Sequence, residues 1–231
     1  MNTHERATMQ SKNLLYVQIV LMFLTIAAVC GATAGAQPVP AKKPSPPKFV
    51  AQTDAAFSFY RTFTGSTSGH DTAQTPSNGI GGMFELRHLQ SRWIGYEIAY
   101  GVNPADQSYK PDPGKCGYLC GNQPVNISAM AHQVSIDWVP SFKYRNIDPF
   151  AIGGAGFYIN VPTSALSNLG DVVRPMFVYG GGFDWNFLPN AGLRIQYRSN
   201  LYKAPDLDNY YNATGAYTQT GEPMVGVYFG L

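Results

Sequence analysis

The sequence predicts an all-β fold, an eight-stranded antiparallel up-and-down transmembrane β-barrel. Three observations predict it: an apolar amino-terminal segment of the export type, eight segments of period-2 alternation, and connections that alternate long and short. The composition agrees. Of 231 residues 45% are hydrophobic and only 13% charged, where about 25% charged is usual for a soluble domain. The chain carries 15 Tyr, 13 Phe, 3 Trp and 24 Gly. A formal charge of +2, with no basic run beyond "AKKPSPPK", points away from a nucleic-acid partner.

Arg6 and Lys12 precede the apolar run Leu14 to Val29, which Gln18 interrupts. Ala34 and Ala36 then flank Gly35 in the small-x-small pattern of a signal-peptidase site. Residues 1–36 are therefore expected to be a signal peptide, cleaved before Gln37. The alternative is an uncleaved anchor, for which the apolar run is short. Residues 37–48, "QPVPAKKPSPPK", form a Pro-rich spacer on the periplasmic side, unable to pack a core. Residues 49–231 are the expected barrel. No later apolar run is long enough for a membrane helix, so a membrane-embedded mature chain must cross as strands, closed into a barrel so that no edge is left unsatisfied.

The expected strands are Asp54–Phe63, Gly81–Gln90, Trp93–Gly101, Ser128–Pro140, Pro149–Val161, Met176–Phe187, Ala191–Tyr202 and Glu222–Leu231. Strands of about ten residues suit a tilted bilayer crossing. The long connections are Thr64–Ile80, Val102–Ile127, Pro162–Pro175 and Lys203–Gly221; the short ones are Ser91–Arg92, Ser141–Asp148 and Leu188–Asn190. This sorting expects both termini and the short turns on the periplasmic side and the long loops outside.

Face assignment follows from the seventh strand. Arg194 and Arg198, placed in lipid near mid-bilayer, would each cost about 2–4 kcal/mol. With Leu193, Ile195, Tyr197 and Leu201 outward that cost vanishes. The same choice in the other strands collects Glu85, Arg87, Glu97, Asp137, Asp184, Arg194 and Arg198 on the inner faces. These four acids and three bases are nearly neutral as a set, and eight strands leave an interior that side chains can fill. An interlocked ion-pair core in a plugged barrel is the expected arrangement. Gly153, Gly154, Gly156 and Gly180–Gly182 assign poorly to faces and are read as room for large interior side chains. Trp93, Phe142, Tyr144, Trp185 and Phe187 are expected as an interfacial girdle at the short-turn ends, and Tyr100, Tyr158 and Tyr202 at the long-loop ends. Arg61 breaks the pattern by sharing register with Phe57, Phe59 and Phe63, which implies either an interfacial arginine near lipid phosphates or a bulge.

The signal peptide, the eight strands and the terminal "GVYFGL" resemble the small outer-membrane β-barrels similar to the OmpA transmembrane domain. "PFAIGGAGFY" and "GGGFDWNFLPNAGLRIQYR" resemble stretches of generic bacterial outer-membrane barrels. The resemblance covers about Val50–Leu231 and implies residence in the bacterial outer membrane, with its lipids and the barrel-assembly machinery as partners. It also implies a C-terminal assembly signal at Gly226, Phe229 and Leu231, where Leu231 replaces the family's usual terminal Phe and Met224 stands where a polar residue is common. No peptidoglycan-binding domain is expected after the barrel segment.

Cys116 and Cys120 fall in the longest loop on the oxidising side and are expected to form a disulfide. No catalytic, cofactor-binding or metal-binding residue is expected. Lipid A deacylases and palmitoyltransferases exist on such barrels, but a Ser–His pair is required for the former. His132 is the best candidate here, and Ser135 falls on the opposite face; His70 and His88 have no better company. The functional expectation is a structural or surface-interaction barrel without catalysis, any extracellular ligand being met by the long loops. The alternatives are a small porin, a lipid-modifying outer-membrane enzyme, or a soluble lipocalin-like barrel with its apolar face inward.

Overall fold

The computed structural model describes residues 51–111, 124–163, 170–207 and 214–231. The expected signal peptide and spacer, and Cys116 and Cys120, lie outside the described residues.

Alternation of large apolar with small or polar residues suits a pleated sheet whose two faces meet different surroundings. Among the described residues it yields β1 (Gln52–Arg61), β2 (Phe63–Thr64), β3 (Thr67–Gly69), β4 (Thr72–Pro76), β5 (Ile80–Leu89), β6 (Gly95–Pro104) and β7 (Gln107–Pro111). These are followed by β8 (Val125–Ile127), β9 (Ala129–Trp138), β10 (Ile147–Pro162), β11 (Val172–Leu188), β12 (Ala191–Lys203) and β13 (Tyr217–Gly230). Eight of them, β1, β5, β6, β9, β10, β11, β12 and β13, pair antiparallel in that order, and β1 closes on β13. The closed ring leaves no unpaired sheet edge, which lipid would not tolerate.

The eight expected strands are present, with some ends displaced. On the long-loop side β11 starts at Val172 and β13 at Tyr217, several residues earlier than the alternation suggests. The difference arises because the hairpins continue pairing above the apolar band, where polar residues no longer alternate with apolar ones. A second sheet, β3-β4-β7-β8, is built from the first two long connections. His70 and Asp71, both at positive φ (48° and 65°), make the two-residue turn between β3 and β4. Two consecutive positive φ values match the twist of a tight hairpin.

The two faces of the barrel differ as Leu193 and Arg194 imply. Phe59, Ile98, Ile136, Phe177, Trp185 and Val225 point outward, with Ile136 65% exposed. Glu85, Arg87, Glu97, Arg194 and Arg198 are fully buried inside. This polarity is the reverse of a lipocalin-like barrel and removes that alternative. Monomeric soluble proteins do not display an apolar surface encircling the whole molecule.

At the short-turn end the outward aromatics form the expected belt. Trp93 and Phe142 meet edge to face at 5.2 Å, Trp185 and Phe187 at 6.3 Å, and the Trp138 indole donates to the Trp93 carbonyl at 2.7 Å. The belt expected at the other end needs correction. Tyr100 faces outward, but Tyr158 and Tyr202 are buried in the lumen, stacked at 4.3 Å. Tyr202 shares the strand face of Arg194 and Arg198, and its hydroxyl pairs with Thr220 Oγ1 at 2.9 Å. Arg61 is outward-facing with no bulge in the β1–β5 register, its guanidinium over the Phe63 ring at 5.2 Å.

Close packing inside explains two of the glycines. A Cβ on Gly154 would strike Asp137, and one on Gly180 would strike the Tyr197 carbonyl and Arg198 Cα. Both therefore clear space beside members of the interior charge cluster.

Candidate functional site

The interior is layered along the barrel axis. Toward the short turns Leu89, Val139 and Phe150 contribute to an apolar cluster that continues through Val178 to Tyr158 and Tyr202. A second cluster of Tyr60, Met83, Ala99 and Met224 lines another part of the wall. The charged groups occupy the cross-section among these.

Strand register brings the charges together. Arg87 and Glu97 are direct partners on β5 and β6, Asp184 and Arg194 on β11 and β12. Arg87 Nη2 lies 2.6 Å from Glu97 Oε2, and Arg87 Nη1 reaches across the lumen to Asp184 Oδ2 at 3.2 Å. Arg194 contacts Asp184 at 2.8 Å through Nε and Asp54 at 2.8 Å through Nη2, with Glu97 at 3.8 Å and Glu85 at 3.9 Å. Arg198 holds Glu97 at 3.0 Å and Asp137 at 2.8 Å. Glu97 thus meets all three guanidinium groups. Neutral donors complete the set: Ser58 donates to Glu85 at 2.9 Å, Ser135 to Asp137 at 2.9 Å, and Gln196 also bonds Glu85. Arg87 further lies 4.0 Å over the Phe150 ring, adding a cation–π contact.

All seven charged residues picked out on the inner faces lie in this one cluster. Three more carboxylates belong to the interior. Asp54, on β1, binds Arg194; Glu222, on β13, accepts from Gln133 Nε2 at 2.7 Å; and Asp148, on β10, accepts from Asn186 Nδ2 at 3.0 Å. With these, seven buried carboxylates face three buried arginines among the described residues, so the near-neutral set expected from alternation is corrected to an acidic one. Asp54 sits two and four residues before Ala56 and Ser58 on the inner face of β1, so its parity was a usable signal. Glu222 stood at the first residue of the expected eighth strand, where no alternation yet fixes a face; its register partner is Arg198.

The long-loop end carries a structured cap. Gln74 Nε2 on β4 donates to Gln107 Oε1 at 3.0 Å and to the Pro205 carbonyl at 3.0 Å. The Tyr109 hydroxyl on β7 donates to the same carbonyl at 2.9 Å and accepts the Leu207 amide at 3.1 Å. Tyr109, Ile127, Ala129 and Leu207 form a small core beneath, with Val125 and Val172 against it. The first, second and fourth long connections are thereby tied together. No single-loop motif in the sequence announces these contacts, which join residues 33 to 131 positions apart.

The residues weighed for chemistry are dispersed. His132 is on the outer face, its Nδ1 2.9 Å from the Tyr100 hydroxyl, while Ser135 points into the lumen and binds Asp137 and Arg198. His88 Nδ1 pairs with Thr53 Oγ1 at 2.8 Å. Of the C-terminal residues, Gly226 faces inward beside Ser58, and Phe229 and Leu231 are exposed.

A closed antiparallel sheet with an apolar outer wall and charges paired inside is a transmembrane β-barrel of the bacterial outer-membrane type. No protein-family model and no curated protein matches the chain. Among solved structures the chain is similar to Ail, the attachment invasion locus protein of Yersinia pestis (13% identity, 78% of this chain and 97% of that one, TM-score 0.44). It is also similar to the outer membrane protein OprG from Pseudomonas aeruginosa (12%, 78% and 96%, 0.47) and to the outer membrane protein AlkL (15%, 85% and 97%, 0.49). At these identities and scores the likeness carries no functional information.

Proposed function

We propose that the protein is a non-catalytic outer-membrane barrel whose lumen is plugged by its ion pairs and which presents a rigid cap for contacts outside the cell. The observation that carries this reading is Glu97, fully buried and bound from different sides of the lumen by Arg87 and Arg198, with Arg194 beside it. An aqueous channel at this level requires these contacts to part and short charge-assisted hydrogen bonds to be exchanged for water.

The same reading assigns residues 1–36 to export, 37–48 to a periplasmic spacer and 49–231 to the barrel. It gives Gly226, Phe229 and Leu231 to recognition by the barrel-assembly machinery, and it joins Cys116 to Cys120 in a disulfide within the longest loop. The cap, in which Gln74, Tyr109 and Pro205 interlock, supports the surface-interaction role, since a preorganised surface loses less entropy on binding.

Planar-bilayer recording of the purified, refolded barrel tests the plug. The expected result is no stable large conductance. A steady open channel in most insertions contradicts the plug and favours the small porin.

A further inference from the structure

The seam between β1 and β13 loses its pairing for two register positions. β1 and β13 pair from Asp54–Gly230 to Tyr60–Met224, and β2 resumes the same register at Phe63–Gly221. Between them, Arg61 and Thr62 lie opposite Pro223 and Glu222 without pairing. Pro223 has no N–H to donate to Arg61, so the β1–β13 ladder loses a bond there, while the Thr62 amide continues the β1–β5 register to the Gly79 carbonyl at 2.9 Å. At this level a shallow, open groove of about 360 Å³ lies on the outer face along Phe59, Ile80, Pro223 and Val225. Its rim carries Arg61.

Arg61 is unusual in its surroundings. Among the described residues, Arg61 and Lys203 are the only Lys or Arg on the outward faces of the eight barrel strands, and Arg61 makes no ion pair. A guanidinium is a fork that suits a phosphate, and it sits here at the loop-side end of an apolar cleft. Resting on the membrane placement above, the geometry points to a binding site for a phosphorylated membrane lipid, its phosphate on Arg61 and an acyl chain along Phe59 and Val225. Charge complementarity selects an anionic lipid over a zwitterionic one, and the groove distinguishes Arg61 from Lys203.

Native mass spectrometry of the whole barrel released from nanodiscs of equimolar phosphatidylglycerol and phosphatidylcholine tests this. One phosphatidylglycerol is expected to remain bound in preference to phosphatidylcholine. Arg61→Gln is expected to reduce that preference about fivefold, the worth of one basic group near a lipid headgroup, and Lys203→Gln to leave it unchanged. Ile80→Trp, which keeps Arg61 and fills the groove, is expected to abolish retention. Undiminished retention in Arg61→Gln, equal loss in Lys203→Gln, or retention surviving Ile80→Trp overturns the site. Gel mobility of unheated against boiled samples separates the two claims. A heat-modifiable barrel without lipid preference refutes the groove alone, and a chain that is soluble without detergent refutes both.

Discussion

Arg194 grips Asp184 with two hydrogen bonds, Nε to Oδ1 at 2.8 Å and Nη2 to Oδ2 at 3.0 Å, from directly opposite positions on β12 and β11. The pair closes a hairpin whose turn is only Pro189 and Asn190 long, so this contact forms between near neighbours in sequence. The same guanidinium then reaches Asp54 on β1, two strands away around the barrel. One side chain thereby ties a local hairpin to the strand that closes the ring.

Arg194→Leu is therefore expected to destabilise the barrel strongly, by roughly 3–5 kcal/mol, because Asp184 and Asp54 stay buried without their partner. Urea titration in detergent micelles, followed by the shift between folded and unfolded gel bands, measures it. An unchanged midpoint contradicts the role assigned to Arg194.

Arg198 and Asp137 test whether the cluster contributes by pairing or by packing. Arg198→Met and Asp137→Leu are each expected to destabilise, and the double variant by less than the sum of the two. A coupling of about 0.5–3 kcal/mol is expected for groups in direct contact. Strict additivity, read from the same titrations, indicates that the 2.8 Å contact has no energetic weight.

The outer wall gives a depth-dependent expectation. Ile136, paired with Ile98 along the middle of the wall, is expected to cost about 2–4 kcal/mol when changed to Arg, and Phe63, at the loop-side end, about 0–1 kcal/mol. Equal costs at the two positions, measured in lipid vesicles, argue against a membrane boundary between them.

Tyr109→Ala removes the hydroxyl that holds Pro205 and Leu207. Limited proteolysis of the intact barrel is expected to cut the long connections faster, while the heat-modifiable gel shift persists. Unaltered cleavage rates show that the cap does not depend on this residue.

Much of this was legible because strands obey a period of 2 and lipid punishes errors of face. Leu193 and Arg194 alone orient β12, and every charge collected by that rule lies in the interior cluster. Alternation misleads where another consideration displaces it. Tyr202 shares parity with Arg198, yet as a tyrosine near a loop it read as interfacial; the lumen instead supplies Thr220 for its hydroxyl and Tyr158 for its ring. Tyr158 belongs to a strand whose glycines obscure the pattern, and its face was settled by Phe150, Ile152 and Asn160 beside it. The β3-β4-β7-β8 sheet was illegible for a different reason. Pairs such as Gln74–Tyr109 join separate loops, and nothing local in either loop encodes the match.

The central claim is that the apolar face of the strands meets lipid. It is tested most directly by nitroxide labels on β9 and in a loop, in a background with Cys116 and Cys120 replaced by Ser. Labels at Val134 and Ile136 in reconstituted vesicles are expected to collide freely with dissolved oxygen and hardly at all with an aqueous nickel chelate, with Ser77 showing the opposite. Nickel accessibility at Ile136 equal to that at Ser77 would contradict the account.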